Sequence, residues 1–113
     1  MYKNVWLGYL EIRATEGKRF NDLLDLEDTD SQEYIGAWGN ILIISDRINE
    51  VPDIIEAGLN ELGMTVVFID KIENVNSLVE DEQLSEIVIE EANWLLASKY
   101  VFKICNKLFP YIE

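Results

Sequence analysis

The chain has 113 residues, of which 22 are Asp or Glu, nine are Lys or Arg and none is His, so its formal net charge is −13. This excess is larger than solubility requires, because a net charge of about 2–8 keeps a small domain in solution. A surface this acidic attracts cations and basic proteins and repels nucleic acid and anionic membranes. The composition therefore predicts a basic protein as partner, with no direct binding of nucleic acid or membrane.

The apolar content predicts a folded domain. Hydrophobic residues make up 49% of the chain and aromatic residues 11%, which is more than disordered acidic chains contain. The length fits one domain over residues 1–113. The lone Cys105 excludes an internal disulfide and fits a reducing compartment. We expect a cytoplasmic protein, because no leader of the secretory type opens the sequence and no uncharged run is long enough to span a bilayer as a helix.

The first half of the chain predicts strands around one short helix. Residues 5–12 are rich in β-branched and aromatic side chains and predict a strand. Residues 18–26 have apolar side chains at helical spacing, and an acidic loop follows over 26–32. Residues 33–38 and 41–45 are apolar runs on either side of Gly39-Asn40, a pair that tolerates positive φ and predicts a tight hairpin.

A helix after residue 49 is the clearest predicted element. Asn49 can cap it, Pro52 falls in its first turn and Gly63 is a natural stop. The run 41–44 before it lacks polar alternation, which is typical of a strand covered on both faces, and residues 64–69 predict another buried strand. Strand, helix and strand with short links predict a βαβ crossover with parallel strands.

The last third predicts more helix. Residues 81–97 fit a long helix with Glu82, Glu86 and Glu90 in one outward stripe. Residues 100–109 also have helical periodicity, and a final strand over 100–105 is the alternative. The fold class predicted is α+β: a single domain with a mixed four- to five-stranded sheet, one βαβ unit, packed helices and a helical C-terminal region.

Glu91 and Cys105 fall on apolar faces of these predicted helices. A buried carboxylate is costly unless it is paired or hydrated, so we expect Glu91 at the edge of the core with its carboxylate reaching water. The alternatives are that a lysine or a backbone donor meets it, or that this part of the helix faces a partner. Cys105 is expected to be a small buried hydrophobe.

The residues that carry most catalytic chemistry are missing. Without histidine there is no Ser–His or Cys–His pair and no His-based metal site, and no glycine-rich loop matches a phosphate-binding pattern. We therefore expect no enzyme, no metal and no cofactor. One enzymatic alternative rests on Asp46 and Asp70, which both end predicted parallel strands, where two carboxylates can bind Mg²⁺.

A run of acids without interleaved lysine or arginine is the best candidate site. It leads directly into two large amphipathic side chains of the kind favoured as interface anchors. Carboxylates beside exposed aromatic rings suit the capture of a basic surface that otherwise binds nucleic acid. The predicted primary contact is Asp25, Glu27, Asp28, Asp30 and Glu33 with Tyr34 and Trp38, and the predicted second patch is Glu80, Asp81 and Glu82.

The segment Asn4-Val5-Trp6-Leu7-Gly8 resembles the first strand of some immunity-protein families, which bacteria pair with polymorphic or contact-dependent growth inhibition toxins. The small acidic domain without catalytic residues is similar to these proteins as a whole. The resemblance implies stoichiometric inhibition, in which the chain plugs or shields the active site of a cognate toxin, most often a basic nuclease.

Two other interpretations use the same composition. An acidic mimic of nucleic acid, of phage or plasmid origin, would block a DNA- or RNA-binding protein and would inhibit several such partners rather than one. An acidic subunit of a larger complex would dock through its predicted apolar C-terminal helix.

Overall fold

A computed structural model of the chain describes residues 1–23 and 33–112. The elements are β1 (Val5–Ala14), α1 (Phe20–Leu23), β2 (Gly36–Ile44), a 3₁₀ turn (Ile48–Glu50), α2 (Val51–Glu61), β3 (Met64–Asn74), α3 (Val75–Glu80), α4 (Glu86–Ala97) and β4 (Phe102–Tyr111). The four strands of the described residues form one sheet in the order β3-β1-β2-β4, with every neighbouring pair antiparallel. The α+β class is confirmed, whereas the prediction of a mixed sheet is wrong.

Helix α2 connects β2 to β3 across the central strand β1. Both strands are antiparallel to β1, so they run in the same direction, but β1 lies between them and they share no ladder. The predicted βαβ unit is therefore not confirmed. The helix itself begins with Pro52 in its first turn and is followed by Gly63 at φ +84°, the left-handed conformation that favours glycine.

The core has two halves because successive side chains of a strand point to opposite faces of the sheet. On the first face, α2 covers β1 and β2, and the buried residues of this half include Leu10, Ile12, Ile41, Ile43, Val51, Ile55 and Leu59. On the second face, α3 and α4 cover the start of β1 and the end of β2, and the buried residues are Val5, Leu7, Leu42, Val75, Leu78, Ala92, Leu95 and Cys105. This double coverage confirms the interpretation of the run 41–44.

The predicted hairpin at Gly39-Asn40 is wrong. Both residues lie inside β2, which pairs along its length with β1 and with β4. Gly39 is needed for packing rather than for a turn, since a Cβ atom there would overlap the side chain of Leu108. A glycine required for close packing in a strand and a glycine required for a turn cannot be distinguished from the sequence.

Strand β3 is an exposed edge rather than the buried strand predicted over residues 64–69. Its register against β1 shifts twice, which leaves Val67 and Asp70 as extra residues in two bulges. Before, between and after the bulges, respectively, Val66, Ile69 and Ile72 pack toward the α2 half of the core. Bulges and charged residues on an edge strand oppose pairing with another chain.

The C-terminal helix predicted over residues 100–109 is also wrong, because this segment forms β4. Gly39 faces Leu108 whereas Ile41 faces Ile104, so the register of β4 shifts by two extra residues. Ile104 and Leu108, on either side of the bulge, both pack on the α2 half of the core, whereas Cys105 packs on the α4 half. Because of the two extra residues, Ile104 and Leu108 lie four residues apart, a spacing that is also typical of a helix.

The helix predicted over residues 81–97 is shorter, and a small helix precedes it. Ser85 caps α4 by accepting a hydrogen bond from the backbone N of Val88 at 3.4 Å. Helix α3 ends at Glu80, and Glu82, directly after the C-cap residue Asp81, has a left-handed φ of 56°. The backbone N–H groups of Glu82 and Gln83 return to the carbonyls of Val79 and Leu78, the double hydrogen bond of a Schellman cap. No helix among the described residues has the length and apolar character needed to cross a membrane.

Candidate functional site

The second face of the sheet is covered by described helices over only part of its length. Beyond the region packed against α3 and α4, one row of side chains crosses all four strands, because Phe68 faces Glu11, Glu11 faces Trp38 and Trp38 faces Phe109. Tyr9 lies on the same face as Glu11. We call Tyr9, Glu11, Trp38, Phe68, Phe109 and Tyr111 the aromatic face.

The rings at the centre of the aromatic face contact one another. Tyr9 and Trp38 stack with their centroids 5.5 Å apart and their planes at 24°. The Phe68 ring meets Trp38 edge-on, with centroids 6.3 Å apart. Phe68 and Phe109 are 53% and 50% exposed, so the two ends of the row present apolar surface to solvent. A contiguous exposed apolar patch on a charged domain indicates an interaction surface.

Glu11 places a carboxylate in the middle of this apolar row. Its side chain is 17% exposed, the Tyr111 hydroxyl donates a hydrogen bond to Oε2, and Arg13 Nε lies 4.0 Å from the same oxygen. Arg13 Nε also donates to the Tyr111 hydroxyl at 3.1 Å. Burial and the hydrogen bond to Glu11 raise the pKa of Tyr111, which stays a donor at neutral pH. No described residue donates a hydrogen bond to Glu11 Oε1.

Cations of the chain lie at the margin of the aromatic face. The Arg13 guanidinium is 5.7 Å from the centroid of Tyr111, and Lys107 Nζ is 5.5 Å from that of Phe109. Within residues 1–23 and 33–112, no lysine or arginine lies over the ring of Trp38 or of Phe68. Of the two rings nearest Glu11, Trp38 is partly buried, whereas Phe68 is half exposed and therefore accessible to a cation from outside.

A cleft of about 510 Å³ adjoins the aromatic face, between the sheet and the connection from α3 to α4. Tyr9, Asp70 and Glu73 line its sheet side, and Gln83 and Ser85 line its helix side. Lys71 also lines it and pairs with Glu73 at 3.1 Å, although both side chains are substantially exposed. The cleft is therefore polar and carries two carboxylates and one ammonium group.

The acids predicted as the primary contact are separated from their aromatic neighbours. Asp25, Glu27, Asp28 and Asp30 lie outside the described residues. Glu33 pairs with Arg19, with 2.6 Å between its Oε1 and Arg19 Nε, and this contact raises the pKa of Arg19. Tyr34 packs against the α2 half of the core, and its backbone N donates to Asn21. Trp38 alone of the predicted described residues belongs to the aromatic face.

The second predicted patch is exposed at the end of α3. Glu80, Asp81 and Glu82 all face solvent, and Glu80 accepts a hydrogen bond from Asn76 at 3.1 Å. Gln83 follows them directly and lines the cleft. The chain therefore places this patch beside the cleft rather than on the aromatic face itself.

Asp46 and Asp70 do not form the pair that the magnesium hypothesis needs. Asp46 follows the end of β2 opposite the start of β1, whereas Asp70 is the bulge residue of β3 opposite the middle of β1. The central strand also lies between them. Within the described ranges, no three His, Cys, Asp or Glu side chains are grouped closely enough to hold a metal ion.

Sequence reasoning missed most of the aromatic face. The sequence places Tyr9, Glu11 and Phe68 in strands and predicts no role for them, although Tyr9 and Glu11 alternate with buried residues in β1 and so mark its less covered side.

No protein-family model, curated protein or solved structure matches the chain. The resemblance to immunity proteins therefore stays a prediction.

Proposed function

We propose that the chain is an immunity protein, which binds and neutralises a cognate, basic, nuclease-type toxin by stoichiometric inhibition. The observation that carries this proposal is the aromatic face, a row of large side chains across the whole sheet with both ends half exposed. Tyrosine, tryptophan and other large rings are the side chains that most often anchor protein interfaces. The proposed role requires only binding to the toxin and no catalytic step by the chain.

Charge supports a basic protein as the occupant. With a net charge of −13, the long-range field of the chain accelerates the approach of a cationic surface and slows that of an anionic one. A nuclease carries lysine and arginine where it binds phosphate, so carboxylates at the rim of the aromatic face complement it. Glu80, Asp81 and Glu82, beside the cleft, supply such a rim.

Single-stranded nucleic acid is a poor alternative occupant. Exposed rings on a sheet are also a platform on which bases stack. Such platforms lie in positively charged grooves, because most of the binding free energy comes from cations that neutralise phosphate. The Lys and Arg residues at this face, such as Arg13 and Lys71, stand beside Glu11 and Glu73 on a strongly acidic chain.

The nucleic-acid mimic is the second candidate, and one feature of α2 favours it. Glu50, Asp53 and Glu56 recur every three residues on the exposed side of this region. Arg47 is 4.0 Å from Glu50, and both side chains are well exposed, so the pair neutralises little of the line. A line of carboxylates can stand in for phosphates on a DNA-binding protein. Inhibition of several unrelated DNA-binding proteins would favour this candidate over an immunity protein.

Co-expression with the neighbouring toxin tests the proposal. The chain is produced together with the C-terminal domain encoded immediately upstream of its gene, and growth and co-purification are measured. We expect the domain alone to arrest growth, and the pair to restore growth and to purify as a one-to-one complex. A toxic domain that arrests growth equally with and without the chain, or that fails to co-purify, would contradict the proposal. A chain carrying Asp28→Lys and Asp30→Lys is expected to fold and to lose protection.

A further inference from the structure

We infer that the aromatic face receives an arginine side chain of the basic partner, with the guanidinium stacked on the rings beside Glu11 and hydrogen-bonded to Glu11 Oε1. This inference rests on the proposed function and names the chemistry of the contact. It is distinct from the acidic residues singled out in the sequence, since Glu11 was not among them.

Glu11 Oε1 is available to accept a hydrogen bond from a charged donor of the partner. The Tyr111 hydroxyl fixes Oε2, and Arg13 stands 4.0 Å from that same oxygen. Oε1 takes no hydrogen bond from any described residue and lies in a side chain that is 17% exposed. A carboxylate with one oxygen fixed and one open offers an oriented acceptor rather than a freely rotating one, so an incoming donor loses less conformational entropy on binding.

The neighbouring rings favour a guanidinium over an ammonium group. Glu11 stands between Phe68 and Trp38 in the row, and neither ring has a lysine or arginine of the described chain over it. A guanidinium is planar and weakly hydrated, so it stacks on an aromatic face while its N–H groups donate in its own plane to a carboxylate. Lysine, a compact and strongly hydrated charge, gains less from the same rings. Arg13 over Tyr111 shows the same kind of contact made within the chain.

A second copy of the chain is a worse occupant of the face. Two molecules of net charge −13 repel each other. The cations at the margin, Arg13 and Lys107, already lie over Tyr111 and Phe109 of their own chain. Charge complementarity therefore selects a cationic partner.

The test compares two peptides of equal charge, hexa-arginine and hexa-lysine, in about 150 mM salt, a concentration that screens distant charges. Binding to the ¹⁵N-labelled chain is followed through the three indole N–H resonances of Trp6, Trp38 and Trp94. We expect hexa-arginine to shift the Trp38 resonance saturably, with an affinity at least about fivefold above that of hexa-lysine. In Glu11→Gln, which keeps an acceptor for Tyr111, the preference for arginine is expected to fall below about twofold with the spectrum otherwise retained.

Equal affinity for the two peptides, or shifts that leave Trp38 unmoved, would overturn the inference. The same holds if Glu11→Gln keeps the full preference for arginine. These outcomes are separate from failure of the proposed function. A chain that neutralises its toxin but shows no arginine preference at Trp38 refutes this inference alone, whereas an arginine preference without any neutralisation refutes the immunity role alone.

Discussion

Glu91 of α4 and Lys103 of β4 form a buried ion pair, with 3.0 Å between the carboxylate Oε2 and the ammonium Nζ. The same oxygen accepts a hydrogen bond from the backbone N of Asn106, also at 3.0 Å. Asn106 lies in the bulge where β4 loses its register with β2. Glu91 thus supplies the acceptor that the interrupted ladder lacks and connects helix α4 to the edge strand β4.

The prediction that the Glu91 carboxylate reaches water at the edge of the core is wrong, and the alternative, that a lysine or a backbone donor contacts it, is confirmed.

Glu91→Ala is expected to lower the free energy of unfolding by about 3–5 kcal/mol, because it leaves the Lys103 ammonium without its counterion and the Asn106 N–H without its acceptor. Glu91→Gln is expected to cost less, since its amide oxygen still accepts from Asn106. Urea unfolding measures both, with the exposed neighbour Glu90→Ala as control, for which a change within about 0.5 kcal/mol is expected. Equal small effects for Glu91→Ala and Glu90→Ala would contradict the buried-pair account.

Gly58→Ala reverses the usual rule for helices. Alanine normally stabilises a helix interior by about 1 kcal/mol relative to glycine. A Cβ atom at Gly58 would lie only 2.8–3.0 Å from three ring carbons of Phe102. We expect Gly58→Ala to destabilise the chain by about 1–3 kcal/mol. In a Phe102→Leu background the substitution is expected to become neutral or stabilising, and a thermal-denaturation cycle over the four proteins measures the coupling. Independent effects in this cycle would refute the contact.

Glu82→Gly is expected to stabilise the chain by about 1 kcal/mol, because a side chain at a left-handed cap position carries a steric cost that glycine avoids. Asp81→Gly removes the same charge at φ −86° and serves as the control, with no gain expected. If Glu82 belongs to the binding rim, Glu82→Gly also weakens toxin binding while it raises stability. A stability loss in Glu82→Gly would show that the cap geometry is wrong.

The Cys105 thiol makes stability fall at high pH. Burial, and secondarily the nearby Glu91 carboxylate, raise its pKa from 9.0 to about 12. The unfolded chain therefore loses this proton first, so the contribution is complete below pH 9 and is lost as the pH rises toward 12. Between pH 8.5 and 10 the free energy of unfolding is expected to fall by about 1 kcal/mol more than in Cys105→Ala. Parallel pH profiles for the two proteins would contradict this.

The sequence predicted the elements whose signals are local. β1, Pro52 in the first turn of α2 and the stop at Gly63 follow from side-chain types, proline and glycine placed within a few residues of one another, whereas the predicted cap at Asn49 is wrong, because Asn49 lies in the 3₁₀ turn and Glu50 is the N-cap residue. The errors at Gly39 and over β4 share a different cause, since close packing by Leu108 and a register shift both depend on a neighbouring strand. The aromatic face is likewise a product of pairing: Phe68 and Phe109 lie far apart in sequence and meet Glu11 and Trp38 only through the strand order.

The most direct test of the aromatic face compares two tryptophans of the chain, one inside the face and one outside it. Trp38 belongs to the face, whereas Trp94 is 51% exposed on α4, where it stacks on Tyr100. Affinity for the toxin domain captured by co-expression is measured by titration calorimetry for the unaltered chain, Trp38→Ala and Trp94→Ala. We predict that Trp38→Ala weakens binding by at least about 30-fold, as loss of a central aromatic anchor does, and that Trp94→Ala changes it less than about threefold. Tight binding by Trp38→Ala together with a large loss in Trp94→Ala would contradict the account.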